Sequence, residues 1–527
     1  MSHSPLLRHF ERLARRFARI EFARIDAIDP LRRRWLGALP VVALGASVAS
    51  SADAATTTKP RAAASIGIVG AGLAGLTAAW ALNRAGFGPA VFEAGTRLGG
   101  RCWSARDVFD EAQVAERGGE FIDSVHTDAI ALAKALGLAL DDVLEAETDG
   151  TNEITWIDGA PYLAQDADRD FAKVWPIVRR HAEAMGEPTY RGASRMAREL
   201  DRLSVAQWIE RHVPGGRASR LGRALDQAYV EEMAIETTEL SAIVIVSALS
   251  ASKNGHYGAY AGSDQRYHVR GGNDRIVSAL AAGLGPAALR LNHRLVAVRR
   301  ESARRVELVF DVLGAEFRQS FDRVILALPF STLRDVDLSA AGFRPLKQRA
   351  IRELPMGRST KLQLQFGTRF WNAAGSNGMI AKERSSWQSS WEVTRAQAGA
   401  SGILNFWSGG AIAVAAGDGS EADAAGRALA DLEAVLPGAT QHWNGLVIRN
   451  AWDREPFVRG SYAYTPPGWF TSLHGIQAEP EGIVHFAGEH TSMESAGYLN
   501  GAIDSGQRAA REVAKALGAR VPGLPAA

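Results

Sequence analysis

Two glycine-lined turns, far apart in the chain, are the places where this sequence could cradle an anion. The first lies in SIGIVGAGLAGLTAAWALNRAGFGPAVFEA (residues 65–94). Gly70, Gly72 and Gly75 complete GxGxxG: the first makes the tight turn, the second lets backbone approach a pyrophosphate, and the third lets a helix pack on a strand. Leu73 and Ala74 open that helix, whose amides point at the anion. Glu93 lies 18 residues past Gly75 and suits a ribose hydroxyl. Strand, helix and terminal acid agree, so the segment reads as a dinucleotide site. The second turn is IVHFAGEHTSMESAGYLNGAIDSGQRAA (483–510), where a strand-like run enters glycines and opens a helix. A third candidate is Lys361, centred in the alternating run STKLQLQFG (359–367). A buried lysine is costly, so one that faces a cleft is a functional candidate.

The elements around these residues follow from period and punctuation. Residues 66–69 and 89–92 read as buried parallel strands flanking a helix over 73–85. EITWIDGAPY (153–162) reads as a hairpin about Asp158-Gly159, and residues 166–250 as mainly helical, with Ser204 and Gln207 forming a capping box. LRLNHRLVAVRR, RRVELVFDVLG and FDRVILALP, within 289–329, read as successive strands. In 359–367, Leu362 and Leu364 share one face and Lys361 and Gln363 the other. The GDGSEA match to a second nucleotide fingerprint (417–422) is a capped helix start, because Asp418, Glu421 and Asp423 would repel a pyrophosphate.

The chain has 527 residues, enough for two connected domains, with ordinary charged and apolar fractions of 22% and 46%. Cys102 is its one cysteine, which excludes an internal disulfide and any thiolate-built metal site. No H-E-x-x-H or G-x-S-x-G motif starts a zinc or serine hydrolase, and the histidines read as structural, so no metal is expected. Residues 1–54 hold nine arginines and no lysine against five acids, so they carry a net +4 within a chain of +2. Arg32, Arg33 and Arg34 precede the apolar run WLGALPVVALGASVA and then Ala52-Asp53-Ala54, which reads as a secretory signal. It resembles the twin-arginine type, implying export of the folded protein to the periplasm or medium. The rest of the chain has no basic stripe for nucleic acid, and no run reaches the length of a membrane span.

After Glu93 the chain continues as GTRLGGRCWS (95–104). With the fingerprint, this stretch resembles the signature of the flavin-dependent amine oxidases, the superfamily of monoamine, polyamine and L-amino-acid oxidases. Similar blocks continue to about residue 515. The resemblance implies FAD, held partly by Arg101, and an α/β (α+β) architecture: a Rossmann-like FAD-binding domain (65–150, 269–334 and 451–518) interleaved with a substrate-binding domain of mixed sheet and helices (151–268 and 335–450). ERGGEFID (116–123) resembles a loop beside the flavin, with Gly119 and Glu120. Val296 matches a backbone contact to adenine. FAGE, with Gly488 and Glu489, resembles the C-terminal flavin block, and Leu499 begins a helix aimed at the ring.

Lys361 matches the family's lysine that holds a water against flavin N5. Trp452, Tyr462 and Tyr498 match a flavin-lining tryptophan and two tyrosines of an aromatic cage, whose faces favour an amine. Ser461 stands where monoamine oxidases tether the flavin through cysteine, so the FAD is expected to be non-covalent. The implied reaction is transfer of a hydride from an amine carbon to the flavin, with oxygen or another acceptor taking the electrons. An L-amino-acid oxidase is the alternative, mildly disfavoured by Phe121, where some such enzymes carry arginine. A flavin-binding partner protein without turnover is the reading from another class. Expected partners are a small-molecule amine, the electron acceptor, the export machinery and a second copy of the chain.

Overall fold

The computed structural model describes residues 64–250, 252, 255–257 and 264–525. The arginine-rich arm, 1–54, and its reading as an export signal lie outside them.

The first strand, Ile66–Val69, is a short apolar run buried on both faces. Such a strand needs layers on each side, and it has them. It is central in a five-stranded parallel sheet whose order is Val484–Phe486, Arg323–Leu326, Ile66–Val69, Ala90–Phe92 and Leu289–Arg290. Ile66, Ile68, Val91 and Ile325 face the alanine-rich helix Leu73–Arg84 and the long C-terminal helix Leu499–Ala516. Val69, Phe92, Val324 and Leu326 pack instead on Phe310 and Phe321 of a three-stranded antiparallel sheet, Arg294–Ser302, Arg305–Val312 and Ala315–Phe321.

The second unit is a seven-stranded sheet, ordered Trp443–Ala451, Ser359–Phe366, Gly402–Gly409, Ser389–Glu392, Ser376–Lys382, Asn152–Ile157 and Ala160–Pro161. The hairpin at its edge turns through Asp158 and Gly159, both at positive φ, the geometry of a two-residue hairpin turn. Helices within Ala164–Leu249 form a separate apolar core around Trp208 and Tyr229. Ser204 and Gln207 make the capping box, and Ser420 with Asp423 makes a second one at the GDGSEA stretch, so that match begins a surface helix.

Each sheet collects strands from the segments expected of it, with three refinements. The run 289–300 is not one strand. Leu289–Arg290 joins the parallel sheet, Asn292 turns the chain at φ +57°, and Arg294–Ser302 starts the antiparallel sheet. Ala315–Phe321, too polar to stand out in the sequence, completes that sheet. Residues 341–354 do not belong with the substrate unit: Ala341, Phe343, Ala350, Ile351 and Leu354 pack into the core beneath the parallel sheet. The chain therefore crosses to the second unit near Ser359 rather than at 335.

Candidate active site

Of the cavities among the described residues, one is reached by both glycine-lined turns and a larger one lies against the seven-stranded sheet. The smaller, 490 Å3, runs from Gly70, Gly72, Leu73, Ala74 and Glu93 to Gly488, Glu489, Gly497, Tyr498 and Leu499. Both glycine-lined turns therefore open on one elongated space.

Its first end obeys the expected division of labour. Gly70 sits at φ +98°, and a Cβ on it would meet the Ala327 carbonyl at 2.7 Å. A Cβ on Gly75 would fall 1.9 Å from the Gly70 carbonyl, so helix and turn are packed as closely as backbone allows. A Cβ on Gly72 would meet no protein atom within 4 Å, because that side faces the cavity. Glu93 accepts hydrogen bonds from the amides of Ala71 and Gly95, each at 2.9 Å, and its carboxylate retains further acceptor capacity for a ribose. His293, Arg294 and Leu295 continue the wall. Val296, expected at the adenine, is the extra residue of a bulge beside them and gives its carbonyl to the amide of Asp337.

At the other end, Glu489 works through its neighbours. One carboxylate oxygen accepts from Arg101 at 2.8 Å and from the amide of Ala463 at 3.2 Å; the other accepts from the amide of Gly497 at 2.8 Å. Tyr462, just before Ala463, and Tyr498, just after Gly497, are thus positioned through a common carboxylate. Arg101 also donates to the Ser461 carbonyl at 2.8 Å. The Leu499–Ala516 helix has no side-chain cap, and its first residue lines the cavity, leaving N-terminal amides available to a ligand. The open side of Gly72, the uncapped helix and the length of the cavity fit an elongated dinucleotide carrying a ring at the Tyr498 end.

The second cavity, 870 Å3, is lined by Phe121, Trp391 and Trp407 near one end and by Glu147, Glu153 and Arg395 among its polar groups. Lys361 lies on the sheet beside it, 1% exposed. Alternation holds as read: Leu362 and Leu364 enter the apolar core, while Lys361 and Gln363 both donate to the Glu116 carbonyl at 3.0 Å. Lys361 also donates to Glu120 at 2.6 Å, and the other Glu120 oxygen accepts from the Trp391 indole at 2.9 Å. Glu120, expected at the cofactor, is therefore the counter-ion of Lys361 and its link to the cavity wall. Gly119 precedes it in a loop whose Gly118 packs on the Arg101 carbonyl and whose Phe121 lines the larger cavity, so this loop runs between the two spaces. Gly119 itself donates to the Arg101 carbonyl at 3.1 Å.

Trp452 is fully buried, with its indole donating to the Arg117 carbonyl at 2.9 Å and its ring 3.2 Å from where a Gly118 Cβ would stand. Tyr498 lines the cofactor-shaped cavity and packs on His126, ring centres 4.9 Å apart. Tyr462 lies in the buried cluster with Trp391 and Trp407, its hydroxyl donating to the Glu232 carbonyl. Burial, with Glu232 and Glu231 nearby, pushes that phenol well above its usual range, so it stays neutral. Trp391, Trp407, Glu153 and Arg395 escaped the sequence reading. None sits in a motif; sheet order brings Trp391, Trp407 and Glu153 together, and Arg395 follows in the turn after Ser389–Glu392.

The chain matches the profile of the flavin containing amine oxidoreductases over residues 73–514. A Mycobacterium tuberculosis chain named as a flavin-containing monoamine oxidase is 30% identical over 479 residues, covering 85% of this chain and 96% of that one. A Synechocystis protein named L-amino acid dehydrogenase is 26% identical, covering 85% and 94%. The wild-type putrescine oxidase structure bound to putrescine superposes with a TM-score of 0.73 at 23% identity, covering 85% of this chain and 98% of that one. With the fingerprint glycines, the second turn and the buried lysine all in one assembly, this chain belongs to the flavin-containing amine oxidoreductase family.

Proposed function

We propose that this enzyme oxidises amines rather than amino acids, with FAD held without a covalent bond and dioxygen as the electron acceptor. The observation that carries the choice of substrate is the state of Arg395. It is the arginine on the wall of the larger cavity, and both of its terminal nitrogens are engaged, with Glu147 at 2.9 Å and the Asn377 carbonyl at 2.7 Å. A substrate carboxylate would have to displace Glu147 to use it, whereas a cation meets a wall rich in carboxylates and indoles.

When bound, FAD supplies the two-electron acceptor; the chain supplies position, dryness and a placed charge. Gly70, Gly72, Leu73, Ala74 and Glu93 would hold the nucleotide half, with Gly75 packed behind the turn and Val296 beside the adenine end, and Arg101, Gly488, Glu489 and Leu499 would hold the ring half. A neutral amine gives up a hydride from its α-carbon while its nitrogen lone pair becomes the C=N bond. Water then adds to the imine, and the carbonyl product and ammonia, or a smaller amine, separate. Lys361 has three N–H donors, of which two are used by Glu116 and Glu120. The third is the one that would hold a water toward the ring. Tyr498, Tyr462 and Trp452 would shape the apolar approach.

Ser461 occupies the position of the family's tethering cysteine; its hydroxyl oxygen is buried without a hydrogen-bond partner and forms no thioether. Acid precipitation is expected to release all the yellow chromophore, and flavin left in the pellet would overturn the non-covalent reading. Anaerobic mixing with tyramine, putrescine and L-phenylalanine decides the substrate class. Bleaching by the amines alone supports the proposal; bleaching by phenylalanine alone establishes the amino-acid reading. No bleaching across a wide amine and amino-acid panel establishes a non-catalytic flavin protein. The 1–54 arm is proposed to direct export of the folded protein, and an intact Met1 on the secreted or periplasmic form would overturn removal of that arm.

A further inference from the structure

We infer that the substrate is a long amine bearing a second cationic nitrogen, and that Glu153 is the carboxylate that receives the distal charge. This rests on the amine reading above. The acids on the wall of the 870 Å3 cavity are otherwise engaged by the protein. Glu392 accepts from Arg369 at 2.7 Å and Trp371 at 3.0 Å; Glu231 accepts from Ser389 at 2.6 Å; Asp264 accepts from the Ser124 amide at 3.0 Å. Glu147 is paired with Arg395, so those two charges cancel. Glu153 lines the same cavity, is an exposed residue at its edge, and makes no hydrogen bond or ion pair with the described protein. Among the acids lining this cavity it is the one that no hydrogen bond or ion pair within the described residues already holds.

Although the residue is exposed, loss of water around its carboxyl from the neighbouring cavity walls pushes it above its usual range, and Glu147 pushes it the same way, with only Arg395 opposing. A cation docked there would relieve both effects. The reach of that cation follows from the sheet. From the strand of Lys361 to the strand of Glu153 there are four steps, through Gly402–Gly409, Ser389–Glu392 and Ser376–Lys382. At a strand spacing of about 4.8 Å that is ~19 Å. With bonds of about 1.5 Å, a ligand crossing it needs a chain on the order of 15 bonds. Between the two ends the cavity offers Trp391, Trp407, Met379 and Ile380, a surface for methylenes rather than for further charge. A short diamine held at Glu153 would not reach the residues around Lys361.

The test uses the flavin-loaded enzyme and two probes that differ only at the far end, tetradecylamine and 1,14-diaminotetradecane. Anaerobic flavin bleaching against probe concentration gives an apparent Kd for each. Wild type is expected to bind the diamine about tenfold more tightly, the worth of one charge-assisted hydrogen bond. Glu153→Gln is expected to collapse that preference to roughly twofold or less. Equal affinities in wild type, or a preference that survives Glu153→Gln, would overturn the inference while leaving amine oxidation standing. If neither probe bleaches the flavin although tyramine does, the long-substrate inference fails alone. If no amine does, the functional reading fails with it.

Discussion

The two cavities are made of different material. The smaller cavity is built mostly from backbone: Gly70, Gly72, Gly99, Gly100, Gly488 and Gly497 bring main chain close to the space, and helix ends supply the polarity. The substrate cavity is built from side chains standing on a sheet, with Phe121, Trp391, Trp407 and a set of carboxylates. Backbone geometry holds a fixed cofactor and tolerates little change, whereas side chains on strands can be exchanged one at a time. Under the proposed function, specificity resides in the second cavity and cofactor retention in the first.

The sharpest break of this contrast is a pair of glycine substitutions. Gly75→Ala forces a Cβ within 1.9 Å of the Gly70 carbonyl, so the turn must open; the expected product is apoprotein or unfolded protein, read as flavin bound per chain. Gly72→Ala meets no protein atom and is expected to fold while losing flavin affinity, because only the ligand's space is invaded. If both variants retain flavin equally, the backbone-built cradle is wrong.

Lys361→Met comes next. It strands the buried Glu120 carboxylate, at a cost of about 3 kcal/mol in stability, and the rate of flavin bleaching is expected to fall about 100-fold. Adding Glu120→Gln should recover much of the stability in denaturant titrations but none of the rate. Recovery of both would make the lysine a structural group.

A smaller effect is expected on the substrate side. Trp391→Phe keeps an aromatic wall and loses the indole bond to Glu120. An increase of a few fold in KM, with kcat changed less, would fit a wall residue; an equal loss in both would move Trp391 into the reacting centre.

The smallest effect lies away from both cavities. Lys347 is fully buried over the Phe486 ring and donates to the carbonyls of Gln477 and Glu479, and burial brings its pKa down to about 7. Between about pH 7 and its ordinary value the unfolded chain binds a proton the folded chain does not, so this group makes stability rise with pH across that window. Below about pH 7 both states are protonated and the full penalty of burying the charge remains. Lys347→Met should flatten that rise in thermal melts at pH 7 and pH 9.

The same contrast explains what could be read from the sequence. Gly70, Gly72, Gly75 and Glu93 stand out because a turn and its helix are local in the chain; Gly70, Gly72 and Glu93 line one cavity, and Gly75 packs on the Gly70 carbonyl behind it. The face of Lys361 was legible from strict alternation in Ser359–Phe366. Glu120 was not: a loop residue's partner depends on which strand passes it, and here that strand arrives from far along the chain. Trp391 and Glu153 were invisible for the same reason, since neither sits in a motif and only sheet order places them on one wall. The break at Asn292 was hidden because the residues on either side are equally strand-like, although they join different sheets.

The bonds of Glu489 have a consequence for biosynthesis. One carboxylate fastens Arg101, from early in the chain, to Ala463 and Gly497 near its far end. A ribosome that has delivered the fingerprint turn has delivered only half a receptacle. The sheet behind that turn also waits for Val484–Phe486, and its helix for Leu499–Ala516, so loading is a late event in the life of each molecule.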